Sequence, residues 1–247
     1  MIDRFAFTAM TGAKHAIGQL ATTTHNMANL QTPGFREMLS MFRAVPVDGS
    51  SADSRAFVVD STPGADWTPG SVTPTGNPLD VAIQNQGLFA VRRADGQEAY
   101  TRAGKFHLDA QGYLVNSAGL LVLDDEGTEI QVPEGSKDIQ IQANGMVRIT
   151  LPGQLLDTPL ARLKLVNPLP HSLERLPDGL FSSSEELTAS DDVRVLQGSI
   201  EGSNVNAAQA MVQMIAQNRL FDLNIRLIQV AEQNSKSAGA LMSLSRV

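Results

Sequence analysis

The sequence contains no cysteine, and several other residue types that carry chemistry are scarce. Its 247 residues include four histidines, two tyrosines and one tryptophan. The absence of cysteine excludes disulfides, thiolate catalysis and cysteine-ligated zinc sites. A formal net charge of −7 argues against a basic nucleic-acid-binding protein, and a hydrophobic fraction of 42% argues against a disordered acidic chain. The length is sufficient for one or two domains with a hydrophobic core.

The few histidines form no metal-binding or catalytic arrangement. His15 and His25 are ten residues apart, which separates them by about 280° around a helix. His107 and His171 have no acidic or histidine neighbour at ligand spacing. Motifs of phosphate-binding loops, serine hydrolases and zinc proteases are absent. The acidic run at 124–126 lacks the spacing of a calcium loop and is typical of a solvated turn. We therefore expect no catalytic residue, no cofactor and no metal site.

Charge is distributed unevenly along the chain. Residues 1–35 carry a net charge of +1 and residues 202–247 carry +2, so residues 36–201 must carry −10. Residues 15–35 and 202–218 contain no Asp, Glu, Lys or Arg at all. A solvated helix face normally carries charged pairs. Polar side chains throughout the first stretch make a membrane span or a secretory signal peptide a poor fit. The ends are therefore expected to be surrounded by other helices.

Both ends have the periodicity of long helices. Apolar or small residues recur every three or four positions over residues 2–30. A second helix is predicted from 204 to about 245, with Ser203 or Asn204 as the N-cap. This second helix has two apolar seams, which indicates neighbours on more than one side. The pattern allows either a helical pair that dimerises or an open polymer of many subunits. The residues expected at subunit contacts are Ile2, Phe5, Met10, Ile17, Leu20, Met27, Met211, Ile215, Leu220, Phe221, Leu223, Leu227, Ile228, Leu241 and Leu244.

The middle of the chain has short β segments separated by turn residues. A hairpin is predicted in which residues 139–142 pair with residues 147–150 across an Asn144-Gly145 turn. Further strands are expected near 88–91, 100–102, 106–108, 113–115, 120–123, 129–132 and 162–166. The resulting fold class is α+β, with long terminal helices paired as an assembly domain and a mostly antiparallel central β domain. The predicted segments are an N-terminal helix (1–30), an extended connector (31–75), a β domain (76–200) and a C-terminal helix (201–247).

Two short motifs lie where the helices meet the middle of the chain. The first helix stops in a run from Asn26 to Arg36, in which a proline followed by a glycine prevents the helix from continuing. The second motif runs from Glu201 to Asn206 at the start of the C-terminal helix. Their signature residues are Asn26, Asn29, Thr32, Pro33, Gly34, Phe35, Glu201, Ser203, Asn204 and Val205.

This pair of motifs, at opposite ends of one chain, resembles the signatures of the bacterial flagellar rod and hook proteins. Further segments, including 42–47, 61–66, 79–83 and 132–135, are similar to the proximal-rod members of that family. The resemblance implies a structural subunit that assembles through its terminal helices into a tube that transmits torque from motor to hook. It implies other proximal- and distal-rod subunits as partners, and a place in the basal-body rod that spans the periplasm. It also implies delivery by the flagellar type III export apparatus without a cleaved signal peptide, with no nucleic acid bound and no direct membrane insertion.

Other functions remain open at this point. Within the family, the alternative is a distal-rod or hook-type subunit. Outside it, the alternative is a surface adhesin or binding module on a helical stalk. A stalk predicts a single narrow seam with charged flanks, whereas this chain has two seams and almost no flanking charge. An enzyme is the third possibility, and turnover of a small substrate by the middle of the chain would support it.

We predict that limited proteolysis of the dilute, purified monomer trims both ends and leaves a core near residues 76–200. The physical reason is that isolated helices whose apolar seams lack partners are marginally stable in water. Mass spectrometry of the fragments against digestion time is the measurement. Ends as resistant as the middle would contradict the open-polymer interpretation.

Overall fold

The computed structural model describes residues 2–46, 56–152, 156–169 and 172–244. The chain divides into two compact units. Unit 1 consists of Met1–Ala28, Met38–Gly64 and Asn206–Val247, and unit 2 consists of Asn29–Glu37 and Ala65–Val205. Helices make up most of unit 1, which also contains one small sheet, while unit 2 contains the other β-sheets. The α+β class is therefore confirmed.

Unit 1 contains two long helices, α1 (Ile2–Ala28) and α2 (Ala207–Leu244), which pack against each other. They run antiparallel, because Thr23 of α1 meets Gln217 of α2 whereas Gly12 meets Asn224. The Gln217 amide donates to the Thr23 hydroxyl at 3.0 Å. Two strands, β1 (Met38–Pro46) and β2 (Ala56–Ala65), form a small sheet.

The start of α2 differs from the sequence prediction. Its N-cap is Asn206, whose side-chain oxygen accepts a hydrogen bond from the amide of Gln209 at 3.2 Å. Ser203 and Asn204 were the predicted caps, and that prediction is wrong. The Ser203 hydroxyl accepts from the amide of Val205 at 3.3 Å, and Asn204 bonds to segments far away in the sequence. Ser203, Asn204 and Asn206 all lie within the motif, and N-cap propensity alone does not choose among them.

Unit 2 is built from short strands, and its pairings in the described residues are antiparallel. The strands are β3 (Val72–Pro74), β4 (Val81–Gln84), β5 (Leu88–Arg92), β6 (Glu98–Thr101), β7 (Phe106–Leu108), β8 (Leu114–Asn116), β9 (Leu121–Val122), β10 (Lys137–Ile141), β11 (Met146–Thr150), β12 (Thr158–Arg162), β13 (Leu165–Val166), β14 (Leu173–Arg175), β15 (Phe181–Ser183), β16 (Arg194–Gln197) and β17 (Ser199–Glu201). The largest sheet has eight strands in the order β14-β15-β6-β5-β9-β8-β7, with β13 also on β5. A three-stranded sheet has the order β10-β11-β12, and two-stranded sheets are formed by β16 with β4 and by β17 with β3.

The predicted hairpin is confirmed. Strands β10 and β11 pair with Gln140 opposite Arg148 and Ile141 opposite Val147. Gly145 has φ of +84°, and its amide donates to the carbonyl of Gln142 at 2.8 Å. The segment 129–132, predicted as a strand, makes only isolated bridges. It is too short and too irregularly paired to extend a ladder.

Unit 2 has two hydrophobic clusters. The larger is centred on fully buried residues such as Val81, Phe89 and Phe106, whose two aromatic rings pack edge-on at 5.1 Å between centroids. The smaller contains Tyr100 and Phe181, and Trp67 packs on Phe181 with ring centroids 4.7 Å apart. The tryptophan thus anchors residues 65–68 to the core of unit 2. Trp67, the single tryptophan of the chain, is therefore a fluorescent reporter that lies beside the candidate functional site.

Within the described part of the chain, neither helix combines the length and apolar character needed to cross a membrane.

Candidate functional site

The N-terminal motif forms a compact turn at the edge of unit 2. The amide of Thr32 donates to the carbonyl of Asn29, and the amide of Phe35 donates to the carbonyl of Thr32, both at 3.2 Å. The hydroxyl of Thr32 also donates to the side-chain oxygen of Asn29 at 3.0 Å. Gly34 has φ of +69°, and a Cβ there would lie 2.3 Å from the carbonyl carbon of Arg102. Only glycine fits this position without displacing that backbone.

The C-terminal motif lies directly against this turn. The Gly34 amide donates to the carbonyl of Glu201 at 2.8 Å, and the Asn204 amide donates to the carbonyl of Phe35 at 3.3 Å. The side-chain oxygen of Asn204 accepts from the amide of Glu37 at 2.7 Å. Its side-chain nitrogen donates to the carbonyls of Asp66 and Thr68 at 3.0 Å. One asparagine therefore holds three separate segments of the chain together.

A buried ion cluster lies beneath these backbone contacts. The carboxylate of Glu201 binds the guanidinium of Arg36 through Oε1 at 2.9 Å and that of Arg102 through Oε2 at 2.5 Å. Oε1 also accepts a hydrogen bond from the amide of Gly70 at 2.9 Å. All three charged residues are 2% exposed. Buried charges are tolerated only when they are paired and hydrogen-bonded, and Glu201 meets both conditions.

Backbone carbonyls satisfy most of the remaining arginine donors. Arg102 donates to the carbonyls of Gly87 at 2.6 Å and Ile83 at 3.1 Å, and also to that of Asn85. Arg36 donates to the carbonyl of Thr68 at 2.6 Å. Burial lowers the pKa of Arg36 and the nearby Arg102 charge adds to this, while Glu201 opposes both. Because an arginine pKa lies so high, the Arg36 guanidinium stays charged at ordinary pH.

Asn26, the remaining member of the N-terminal signature, lies in unit 1. Its side-chain nitrogen donates to the carbonyl of Met38 at 2.9 Å, and its oxygen accepts from the Met38 amide at 2.8 Å. This two-way contact satisfies both backbone groups of Met38, as a partner strand would. Asn26 is 3% exposed. The side chain therefore fixes the first residue of β1 to the last turn of α1.

The helices bury small and polar side chains and leave large apolar ones exposed. In α1, Ala9, Ala13 and Ala16 are buried, whereas Met10 and Ile17 are 55% and 51% exposed. In α2 the described buried side chains are Ala210, Asn224 and Ala231. Exposed apolar residues in α2 are Met211, Val212, Ile215, Leu220, Leu223, Leu227 and Val230. Many of the large apolar side chains of the two helices are thus left exposed.

The predicted subunit-contact residues fall on these helices. Met10, Ile17, Met211, Ile215, Leu220, Leu223 and Leu227 are exposed, and Leu20, Met27, Phe221 and Ile228 are half-buried. The side chains of Ile2, Phe5, Leu241 and Leu244 lie outside those that the structure describes. The role of the whole set in subunit contacts stays a prediction.

The two arginines of the cluster are not among the site residues predicted from the sequence. Arg36 ends the N-terminal motif, and Arg102 ends the Tyr100–Arg102 segment. An arginine in either place is typical of the solvated surface, because nothing local indicates its buried carboxylate partner, which is 165 residues from Arg36 and 99 from Arg102. The sequence feature that points to this cluster is Glu201, a glutamate within a motif of small polar residues.

The described residues contain no group of three or more His, Asp or Glu side chains that could hold a metal ion. A surface cavity of about 660 Å³ is lined by loop residues 108–112 and 131–136. Its Asp109 carboxylate accepts hydrogen bonds from the amides of Gln111 and Tyr113 at 2.9 and 2.8 Å. That carboxylate shapes the turn.

Comparisons with known proteins identify the family to which the chain belongs. The family model described as "Flagellar hook protein FlgE/F/G D1 domain" matches residues 82–149, and the one described as "Flagellar basal body rod FlgEFG protein C-terminal" matches residues 196–241. The chain is 42% identical to flagellar basal-body rod protein FlgF of Escherichia coli strain K12, over 99% of this chain and all of that protein. The FlgF of Salmonella typhimurium strain LT2 is 41% identical over the same shares. The FlgG rod protein of Caulobacter vibrioides is 29% identical over 96% of this chain and 98% of that protein. The chain therefore belongs to the flagellar basal-body rod protein family, in which its sequence is close to FlgF.

Proposed function

We propose that the chain is a proximal-rod subunit whose terminal helices pack among those of neighbouring subunits in a helical tube. The family consists of structural rod and hook proteins, so the function is structural and is carried by assembly. The observation that carries the finer proposal is the division of side chains on α1 and α2, with alanines buried within unit 1 and large aliphatic residues exposed.

The exposed apolar side chains of α2 follow one another along much of the helix. Burial removes about 25 cal/mol of unfavourable free energy per Å² of apolar surface. Contiguous exposed apolar patches on soluble proteins therefore usually mark interfaces. In α2 the exposed apolar residues run from Met211 to Val230, with Leu220, Leu223 and Leu227 at helical spacing. Packing against helices of other rod subunits would cover them.

The ion cluster joins the two segments of unit 2 that continue into the helices. The chain enters from α1 at Asn29 and leaves towards α2 at Val205. Arg36 and Glu201, which lie close to these two points, are joined directly. A load that arrives along either segment would therefore meet the same buried contact. This arrangement suits a subunit that transmits torque.

The proposed partners are other proximal-rod subunits and the distal rod, and the proposed location is the rod where it crosses the periplasm. Delivery by the flagellar type III export apparatus, without a cleaved signal peptide, belongs to the same proposal. A chain without cysteine suits passage through a narrow export channel, because no disulfide has to be opened.

We predict that a strain lacking this protein makes rods that stop short and does not swim. Electron microscopy of isolated basal bodies measures the rod, and swimming in soft agar measures motility. Complementation with the wild-type gene serves as the control. Intact rods with normal swimming in the deletion strain would refute the proposed function.

Replacing Leu223 with aspartate is predicted to block incorporation into the rod. Leu223 is 55% exposed, so the free chain should keep its fold, while burial of the new charge between helices would be unfavourable. Gln233→Glu introduces the same charge at an exposed polar position of α2 and serves as the matched control. The measurement is the amount of each variant in purified basal bodies. Equal incorporation of both variants would contradict the role of this apolar surface.

Glu201→Gln is predicted to destabilise unit 2 by about 3 kcal/mol, since it leaves two buried guanidiniums without a counter-charge. Urea unfolding of the full chain, followed by the fluorescence of Trp67, gives the change in the free energy of unfolding. Glu174→Gln, at an exposed position of β14, is the control and should change it by less than about 0.5 kcal/mol. If the two variants unfold at the same urea concentration, the cluster does not stabilise the unit.

A further inference from the structure

A third arginine, Arg175, reaches the N-terminal signature from an element that neither motif contains. It ends β14, which forms an antiparallel hairpin with β15, and it lies opposite Phe181. Its guanidinium carbon lies 4.7 Å from the ring centroid of Phe35 and 5.7 Å from that of Phe181. One of its nitrogens, Nη1, donates to the carbonyl of Arg36 at 2.7 Å. The side chain thus contacts Phe35 of the signature and Arg36, the residue that follows it.

The surroundings of Arg175 differ from those of Arg36 and Arg102. Among the described residues no carboxylate forms an ion pair with it, and burial alone lowers its pKa. Its Nη2 is buried and has no hydrogen-bond partner in the described part of the chain. The positive charge is therefore held by two aromatic faces and one carbonyl. Cation–π contacts of this kind strengthen when water is excluded.

We propose that Arg175 is a positioning residue that latches the N-terminal signature onto the β14–β15 hairpin. The ion cluster holds Arg36 by its side chain, whereas Arg175 holds its backbone and covers the ring of Phe35. The two contacts together fix residues 35–36 in both position and orientation. The latch rests on the proposed function only in its purpose, which is to hold residues 35–36 firmly on unit 2 of a rod subunit.

The Trp67 side chain extends the latch into the core. It packs on the ring of Phe181, and that ring in turn lies beside the guanidinium of Arg175. The order of contact is therefore Trp67, Phe181, Arg175 and Phe35. Loss of the arginine removes the link between the signature and this aromatic stack while leaving Glu201 and its partners in place.

The test is native-state amide hydrogen exchange on the full-length chain, with Arg175→Met compared with wild type. The amides of Gly34 and Glu37 report on the signature, since they bond to Glu201 and Asn204. The amide of Gly198, which bonds to the carbonyl of Asp80, reports on the rest of unit 2. We expect exchange at Gly34 and Glu37 to accelerate about tenfold and exchange at Gly198 to stay unchanged. Arg175→Lys keeps a cation near Phe35 and should restore part of the protection.

Arg148→Met is the matched control, because Arg148 lies on β11 and bonds to Asp157, away from the signature. It should leave exchange at Gly34 and Glu37 unchanged. Unchanged protection in Arg175→Met, equal acceleration at all three amides, or a lysine variant no better than methionine would each overturn the latch. The measurement needs no rod, so its failure is distinct from a failure of the proposed function.

Discussion

One carboxylate, that of Glu201, holds together segments of unit 2 that are far apart in the sequence. Removing a carboxylate and two guanidiniums from water costs several kcal/mol per ion, and the attraction between them offsets this only when the geometry is complete. Here the completion includes the Gly70 amide and the carbonyls around Arg102. The burial of these charges becomes unfavourable when any of these partners is missing. It is therefore a strong determinant of a single arrangement for residues 34–37, 66–70 and 201–204.

The two helices differ from unit 2, because the side chains that they bury against each other are small or polar rather than charged. Gly12 lies so close to Asn224 that a Cβ there would be 2.7 Å from the amide oxygen. Alanines at 9, 13 and 16 allow the same close approach along α1. A contact of this kind brings two helices together while many of their large aliphatic side chains stay exposed. The proposed contacts between rod subunits would use those exposed side chains.

The sequence allowed much of this architecture to be predicted, and the reasons for success and failure are physical. Long helices and the hairpin around Gly145 follow from local periodicity and turn chemistry, which need no knowledge of distant residues. The cap at Asn206 was missed because neighbouring Ser203 and Asn204 have the same local propensity. Arg36, Arg102 and Arg175 were missed because their burial depends on Glu201, Phe35 and Phe181, which are brought near only by the fold. Local sequence patterns predict the positions of the two motifs, whereas the contacts that the motifs make depend on the tertiary fold.

The hydrogen bond between Glu37 and Asn204 joins residues 167 positions apart. Closing a loop of that length costs entropy before any contact compensates for it, and folds dominated by such contacts form slowly. Unit 2 cannot complete its ion cluster until the chain is available from Arg36 to Glu201. Whichever end of the chain becomes available first, this contact can form only after all the strands between the two motifs are present. The two motifs therefore stay unjoined until that point, however early the intervening strands pair.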